Sequence, residues 1–243
     1  MIKAMTAPQN LLIAGSGFLS SAVAQWFHGK GWTVSVLTRR PDTAPAQATA
    51  VPWDGQSPGE WESALVEADA VVNFCGQSVN CRYNAKNRRA IRESRVQTTR
   101  LLGQGIADCP SPPQVWINAA SATIYRHAED RGMDEYHGEP GTGFSVEVCC
   151  AWEDEARRWQ KPKVRQTLLR TSLVLGHGAN SVYPTLARLA RLGLAGRMGP
   201  GSQFISWIHV EDFCRALEFL IANELAGPVN VTAPEALGEL ARP

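Results

Sequence analysis

Leu11-Leu12-Ile13-Ala14-Gly15-Ser16-Gly17-Phe18-Leu19-Ser20 is the stretch from which the rest of the chain can be read. Four apolar residues run into Gly-Ser-Gly, so a short buried strand ends in a tight turn. Behind the turn, Phe18 to His28 carries Val23, Trp26 and Phe27 at helical spacing, and Gly29 and Gly31 end the run. Read as GxGxxG, the stretch supplies Gly15, Gly17 and, at the third place, Ser20. In that pattern the first glycine permits the turn. The second admits a pyrophosphate close to the backbone, and the third lets helix and strand pack closely. The free N–H groups and dipole of a helix start attract phosphate. A place between an apolar strand and an amphipathic helix favours a dinucleotide site; the alternative is a glycine turn without a ligand.

Outward from this stretch, apolar runs alternate with amphipathic ones. Strands are expected at Thr33–Leu37, Ala48–Val51, Ala70–Phe74, Val115–Ala119, Val164–Leu169, Leu173–Leu175 and near Val229–Val231. Helices are expected over 57–67, 84–107, 145–160, 182–192 and 211–223. Short continuous apolar strands imply burial on both faces, and strand–helix alternation implies a parallel sheet between helical layers. The fold class is therefore α/β, a Rossmann-type doubly wound parallel sheet. Ligands in such sheets sit at the carboxyl ends of the strands, which points to the loops after 14, 37, 74, 119 and 169. The region 125–145 is rich in Gly, Asp, Glu and His and reads as a flap over a site.

The end of the second strand selects among dinucleotides. An enzyme using NAD places an acid there for the ribose 2′-hydroxyl. This chain has Thr38-Arg39-Arg40-Pro41, with no acid. Two guanidinium forks suit a 2′-phosphate, which favours NADP; a pair of solvated surface arginines is the alternative.

Composition closes several other routes. The chain has 243 residues and a formal net charge of +1, which offers no broad basic face for nucleic acid. No apolar window reaches membrane-spanning length. The N-terminal ten residues do not read as a signal peptide. Six cysteines, at 75, 81, 109, 149, 150 and 214, show no CxxC spacing and no Cys/His grouping. That predicts reduced thiols, a cytoplasmic protein and no metal site.

Several further segments resemble one family. They are Ala70-Val71-Val72-Asn73-Phe74-Cys75-Gly76-Gln77; Ser94-Arg95 with Thr98-Thr99; Ser121-Ala122-Thr123-Ile124-Tyr125; Cys149 with Trp152-Glu153; Leu169-Arg170-Thr171; and Gly199-Pro200-Gly201-Ser202-Gln203 followed by Trp207-Ile208-His209-Val210-Glu211-Asp212. With Thr38–Pro41 they make the chain similar to atypical extended short-chain dehydrogenase/reductases, the sugar-nucleotide epimerase-like branch of the NAD(P)-dependent epimerase/dehydratases. The resemblance implies bound NADP(H), a small polar substrate such as a nucleotide sugar, and a homodimer built through long helices. It also implies a phosphate loop at Gly15, Ser16, Gly17, Phe18 and Leu19. Thr38 and Arg39 would hold the 2′-phosphate. Phe74, Cys75 and Gly76 would line the cofactor, and Arg95 would face it. Residues 1–165 would form the NADP-binding domain. Residues 166–243 would supply the last strands and a reduced, truncated substrate part, because extended members continue further.

Departures accompany the likeness. Ser20 replaces a glycine, and Ile124, Arg126 and His127 stand where Gly, Tyr and Gly are usual. The superfamily's Tyr-x-x-x-Lys pair, in which lysine lowers the tyrosine pKa for proton exchange during hydride transfer, is absent. Phe144 and Val148 lie near those places. Ser121 and Tyr125 are the candidate catalytic substitutes, with Glu147, His127 and Cys149 nearby in sequence. Buried packing is the plainer reading for Cys149 and Cys150. Solvation is plainer for Arg88, Arg92, His127 and His137, and a structural turn for His209. A non-catalytic NADP(H)-binding sensor or regulatory protein stands beside the enzyme reading.

Overall fold

The computed structural model describes residues 9–178, 180–194, 204–235 and 237–238. Strand β1 (Asn10–Ala14) runs through the glycine turn into helix α1 (Phe18–Gly29) and back as β2 (Thr33–Thr38). Next come β3 (Thr49–Pro52), a single 3-10 turn (Glu60–Glu62), α2 (Ser63–Glu67) and β4 (Ala70–Asn73). The helix expected over 57–67 thus forms from Glu60 onward, opening as a 3-10 turn and continuing as α2. Trp61 sets that turn, donating its indole N–H to Ser57 O at 3.0 Å and packing on Trp53. The chain continues with α3 (Ala85–Asp108), β5 (Val115–Ser121), α4 (Phe144–Arg158) and β6 (Arg165–Thr171). Then follow β7 (Leu173–Leu175), α5 (Tyr183–Arg191), β8 (Phe204–Ile205), β9 (Trp207–His209), α6 (Val210–Ala222), β10 (Gly227–Val231) and β11 (Leu237–Gly238).

Seven strands form one parallel sheet in the order β10-β6-β5-β4-β1-β2-β3. Burial on both faces accounts for the unbroken apolar runs. Leu11 and Ile13 join Val36, Ile117, Phe27, Phe213 and Leu217 under α1 and α6. Leu12 and Ala14 join Val71, Trp116, Leu101, Leu102 and Ile106 under α2 and α3, with Ala156 of α4. Alternate residues of one strand therefore feed opposite cores. The order reverses between β1 and β4, so the switch-point crevice opens beyond Ala14 and Asn73. Strand pairs β7–β9 and β8–β11 lie outside the main sheet. Among the described residues no helix is long and apolar enough to cross a membrane. The Gly199–Gln203 segment lies outside the described residues.

Candidate functional site

Gly15 turns the chain out of β1 with φ +104°, a conformation other residues avoid, and donates its N–H to Leu37 O at 3.0 Å. Gly17 is the N-cap of α1 and carries no side-chain cap. A Cβ built there would meet no atom within 4 Å. The helix start thus faces open space with its first N–H groups uncapped, which fits an anionic phosphate. Ser16 Oγ accepts from Thr38 Oγ1 at 3.2 Å, tying the turn to the end of β2. Thr38 is buried and also caps Arg40 N at 3.1 Å. Ser20 is fully buried, and its hydroxyl finds no hydrogen-bond partner among the described residues. It fits where glycine is usual, at the cost of an unsatisfied polar atom.

Arg39 and Arg40 are exposed beyond β2, and neither side chain has an ion-pair partner among the described residues. Arg40 borders a hollow of about 780 Å³ with Ser16, Gly17 and Lys30. Arg39 does not border it, and its charge reaches the Cys75 thiol.

A second cavity of about 610 Å³ opens at the crevice between Phe18 and Leu19 on one wall and Phe74, Cys75 and Gly76 on another. Ser121, Phe144, Cys149, Thr171 and Ser172 line its far side. Phe18 is therefore a wall as well as part of the turn; its ring fills the space a Cβ on Gly178 would need, 2.6 Å away. Burial pushes the Cys75 thiol up to about 12 and the Cys149 thiol up to about 11. Neither is a thiolate at neutral pH, so both act as small apolar walls.

A buried amide cluster braces two lining residues, Cys75 and Trp152. Asn73 Nδ2 donates to Asn118 Oδ1 at 2.7 Å and to Thr99 Oγ1 at 3.1 Å. Trp152 Nε1 donates to Thr99 Oγ1 at 2.9 Å. Asn73 Oδ1 accepts the Cys75 N–H at 3.0 Å, which fixes the turn out of β4. The Arg95 guanidinium lies 5.1 Å from the Trp152 ring centroid and fits against Gly76.

The two candidate catalytic side chains part company. Ser121 lines the cavity beside Cys149, donates to Thr123 Oγ1 at 2.9 Å and accepts the Thr123 N–H at 3.2 Å. Tyr125 sits past a 3-10 turn (Ala122–Ile124) that rotates it out of this cavity. Its hydroxyl donates to Asn230 Oδ1 at 2.8 Å and accepts from Arg170 Nη1 at 2.8 Å. Arg170 makes a two-toothed pair with the fully buried Glu153 at 2.8 and 2.9 Å, which holds the guanidinium pKa above its ordinary value. Asn230 Nδ2 donates to Met133 O and Asn230 N to Glu135 Oε1, so the same chain of bonds anchors the 125–141 flap.

His127, His137 and Glu147 are exposed, and His209 caps α6, accepting the Glu211 N–H at 3.4 Å. Arg88 stands 4.8 Å over the Phe144 ring and donates Nε–H to Tyr83 O at 2.9 Å. Tyr83 was not evident from the sequence. It lines the cavity, packs edge-on to Phe144 at 5.4 Å and is the cavity's phenol among the described residues. An aromatic residue in the loop leading out of β4 was the available signal.

Sheet order, crevice and uncapped glycine turn together define a doubly wound α/β protein with an anion-ready helix start. The profile of the NAD dependent epimerase/dehydratase family matches residues 11–232, and the chain belongs to that family. An epimerase family protein of Mycobacterium bovis is 37% identical over 226 residues, covering 91% of this chain and 72% of that protein. The mouse epimerase family protein SDR39U1 is 33% identical over 230 residues, 92% of this chain and 74% of that one. The crystal structure of human SDR39U1 (isoform 2) with NADPH superposes with TM-score 0.83 at 30% identity, covering 96% of this chain and 78% of that one.

Proposed function

We propose that the chain binds NADP(H) and carries out short-chain dehydrogenase/reductase or epimerase chemistry on a small polar substrate such as a nucleotide sugar. One observation carries the cofactor choice: two exposed arginines, without carboxylate partners among the described residues, follow β2 beside an uncapped glycine turn, and no acid stands at that strand end. Gly15, Ser16, Gly17, Phe18 and Leu19 would receive the pyrophosphate. Thr38, Arg39 and Arg40 would receive the 2′-phosphate, and Phe74, Cys75 and Gly76 would flank the ribose and nicotinamide. The human relative was crystallised with NADPH, which supports the same choice. When bound, the cofactor supplies hydride transfer.

The chain's own part is to orient the substrate and hold its oxygen. Ser121 has the position for a hydrogen bond to that oxygen. Tyr125 is better read as a positioning residue, because it stands outside this cavity and its hydroxyl joins Arg170 to Asn230. Residues 1–165 serve as the cofactor part, and residues 166–243 close the sheet and border the substrate. A cytoplasmic location and a homodimer through α3 and α4 belong to the same reading.

Phe144 and Val148 near the usual Tyr and Lys places favour a second reading, a non-catalytic NADP(H) sensor. Incubation with NADPH and a panel of aldehydes, ketones and nucleotide sugars separates the two. Oxidation of the nicotinamide, or epimerised sugar, supports the enzyme. Tight NADPH binding with no turnover on the whole panel supports the sensor.

A further inference from the structure

Arg95 lines the cavity as its one formally charged side chain among the described residues. No carboxylate pairs with it there. Its Nη1 group donates to Gln77 O at 3.1 Å and to Ile91 O at 3.0 Å, which uses that nitrogen's two hydrogens. Nε–H and the Nη2 hydrogens have no partner among the described residues. Those donors share one edge of the planar group, the edge that grips a carboxylate with two parallel bonds.

The surroundings are built to hold this cation still. Trp152 lies under the guanidinium and is itself tethered to Thr99. Gly76 leaves the room it needs: a Cβ there would stand 3.0 Å from Arg95 Cζ and 3.2 Å from each terminal nitrogen. Burial opposes the charge and pushes its pKa down, yet the described residues supply no carboxylate to offset the cost. A partly desolvated cation without a carboxylate partner among the described residues, held at a cavity wall, is a binding group for a ligand's negative charge.

We infer that Arg95 is a substrate-binding residue that selects a substrate bearing a carboxylate close to its reacting centre. This rests on the reading of the cavity as the reaction site, and it moves Arg95 from the cofactor to the substrate. It also narrows the substrate class to acidic sugars or small hydroxy and oxo acids.

Tryptophan fluorescence gives a readout that needs no turnover, since Trp152 lies against the guanidinium. Acetate, lactate, pyruvate and UDP-glucuronate would be titrated into the protein with and without NADPH, each beside its neutral partner acetamide, lactamide, pyruvamide or UDP-glucose. In the wild type at least one carboxylate binds roughly ten- to a hundredfold more tightly than its neutral partner. Arg95→Leu abolishes that preference, and NADPH affinity falls far less than carboxylate affinity. Gly76→Ala, which displaces the guanidinium but keeps its charge, weakens the preference in a chain whose α3 is unaltered.

Absence of any carboxylate preference in the wild type overturns the inference. So does a preference that survives Arg95→Leu, or a loss of NADPH affinity in Arg95→Leu as large as the loss for carboxylates. A carboxylate preference in a wild type that fails to bind NADPH supports the inference while refuting the NADP(H) reading.

Discussion

Replacing Glu153 with Gln tests the bond network that holds the Ser121 turn and the flap to the sheet. Glu153 is 0% exposed and Arg170 is 8% exposed, so their charges see little water. Glu153 Oε1 accepts from Arg170 Nε at 2.8 Å, and Oε2 accepts from Arg170 Nη2 at 2.9 Å and from Arg157 Nη2 at 2.6 Å. The amide of Gln keeps the shape but turns one acceptor into a donor facing two guanidinium groups. Removing one partner of a buried ion pair costs about 3–5 kcal/mol, because the other charge stays desolvated. At about 2–4 °C per kcal/mol for a chain of this size, the melting temperature falls by roughly 6–20 °C. Urea unfolding followed by tryptophan fluorescence measures the free energy, and an unchanged m-value confirms that the denatured state is comparable. Glu153→Gln combined with Arg170→Met removes both charges and recovers part of the loss, so the two changes are less than additive. A single-variant loss within about 1 kcal/mol of zero, or strict additivity, refutes the reasoning.

Three further outcomes follow from packing and charge. Gly103→Ala, within α3, destabilises by about 1–3 kcal/mol although alanine is the better helix former, because its Cβ would overlap the Trp159 indole; urea midpoints check it. Ser20→Ala raises stability by about 1 kcal/mol in the same assay, since it removes a buried hydroxyl without a partner; a loss of stability would show that the hydroxyl is satisfied. In the flap, Arg126 lowers the Asp130 carboxyl from 3.8 to about 2. The folded pKa lies below the unfolded one, so this tether is fully present above pH 3.8 and is lost as pH falls through about 2. Limited pepsin digestion should therefore begin cutting residues 127–137 as the pH drops through that window. Cutting there above pH 3.8 would contradict the assignment.

The sheet was readable because its inner strands are buried on both faces, which leaves unbroken apolar runs in the sequence. Leu11 to Ala14 is the clearest case: its residues enter two cores in turn. The glycine turn was readable because φ +104° at residue 15 demands glycine. The 57–67 segment is helical only from Glu60, and it opens as a 3-10 turn because Trp61 is held by Ser57 and Trp53. Side-chain networks were the least legible part. Tyr125 stands four positions after Ser121, yet the intervening 3-10 turn sends it to Arg170 and Asn230, 45 and 105 residues away. Nothing local in the sequence encodes such partners. Tyr83 was missed for the same reason: its place in the cavity depends on how α3 and α4 pack, which no spacing reveals.

The central claim is that the turn after β1 and the arginines after β2 hold a dinucleotide carrying a 2′-phosphate. Titrating the protein with NADPH and with NADH, and repeating both with Arg39→Ala, tests it most directly. The account predicts that NADPH binds at least tenfold more tightly than NADH and that Arg39→Ala erases much of that margin, since a charge-assisted bond to phosphate contributes about 1.5–3 kcal/mol. Equal or tighter binding of NADH would contradict the choice of cofactor, and failure of both to bind would contradict the site itself.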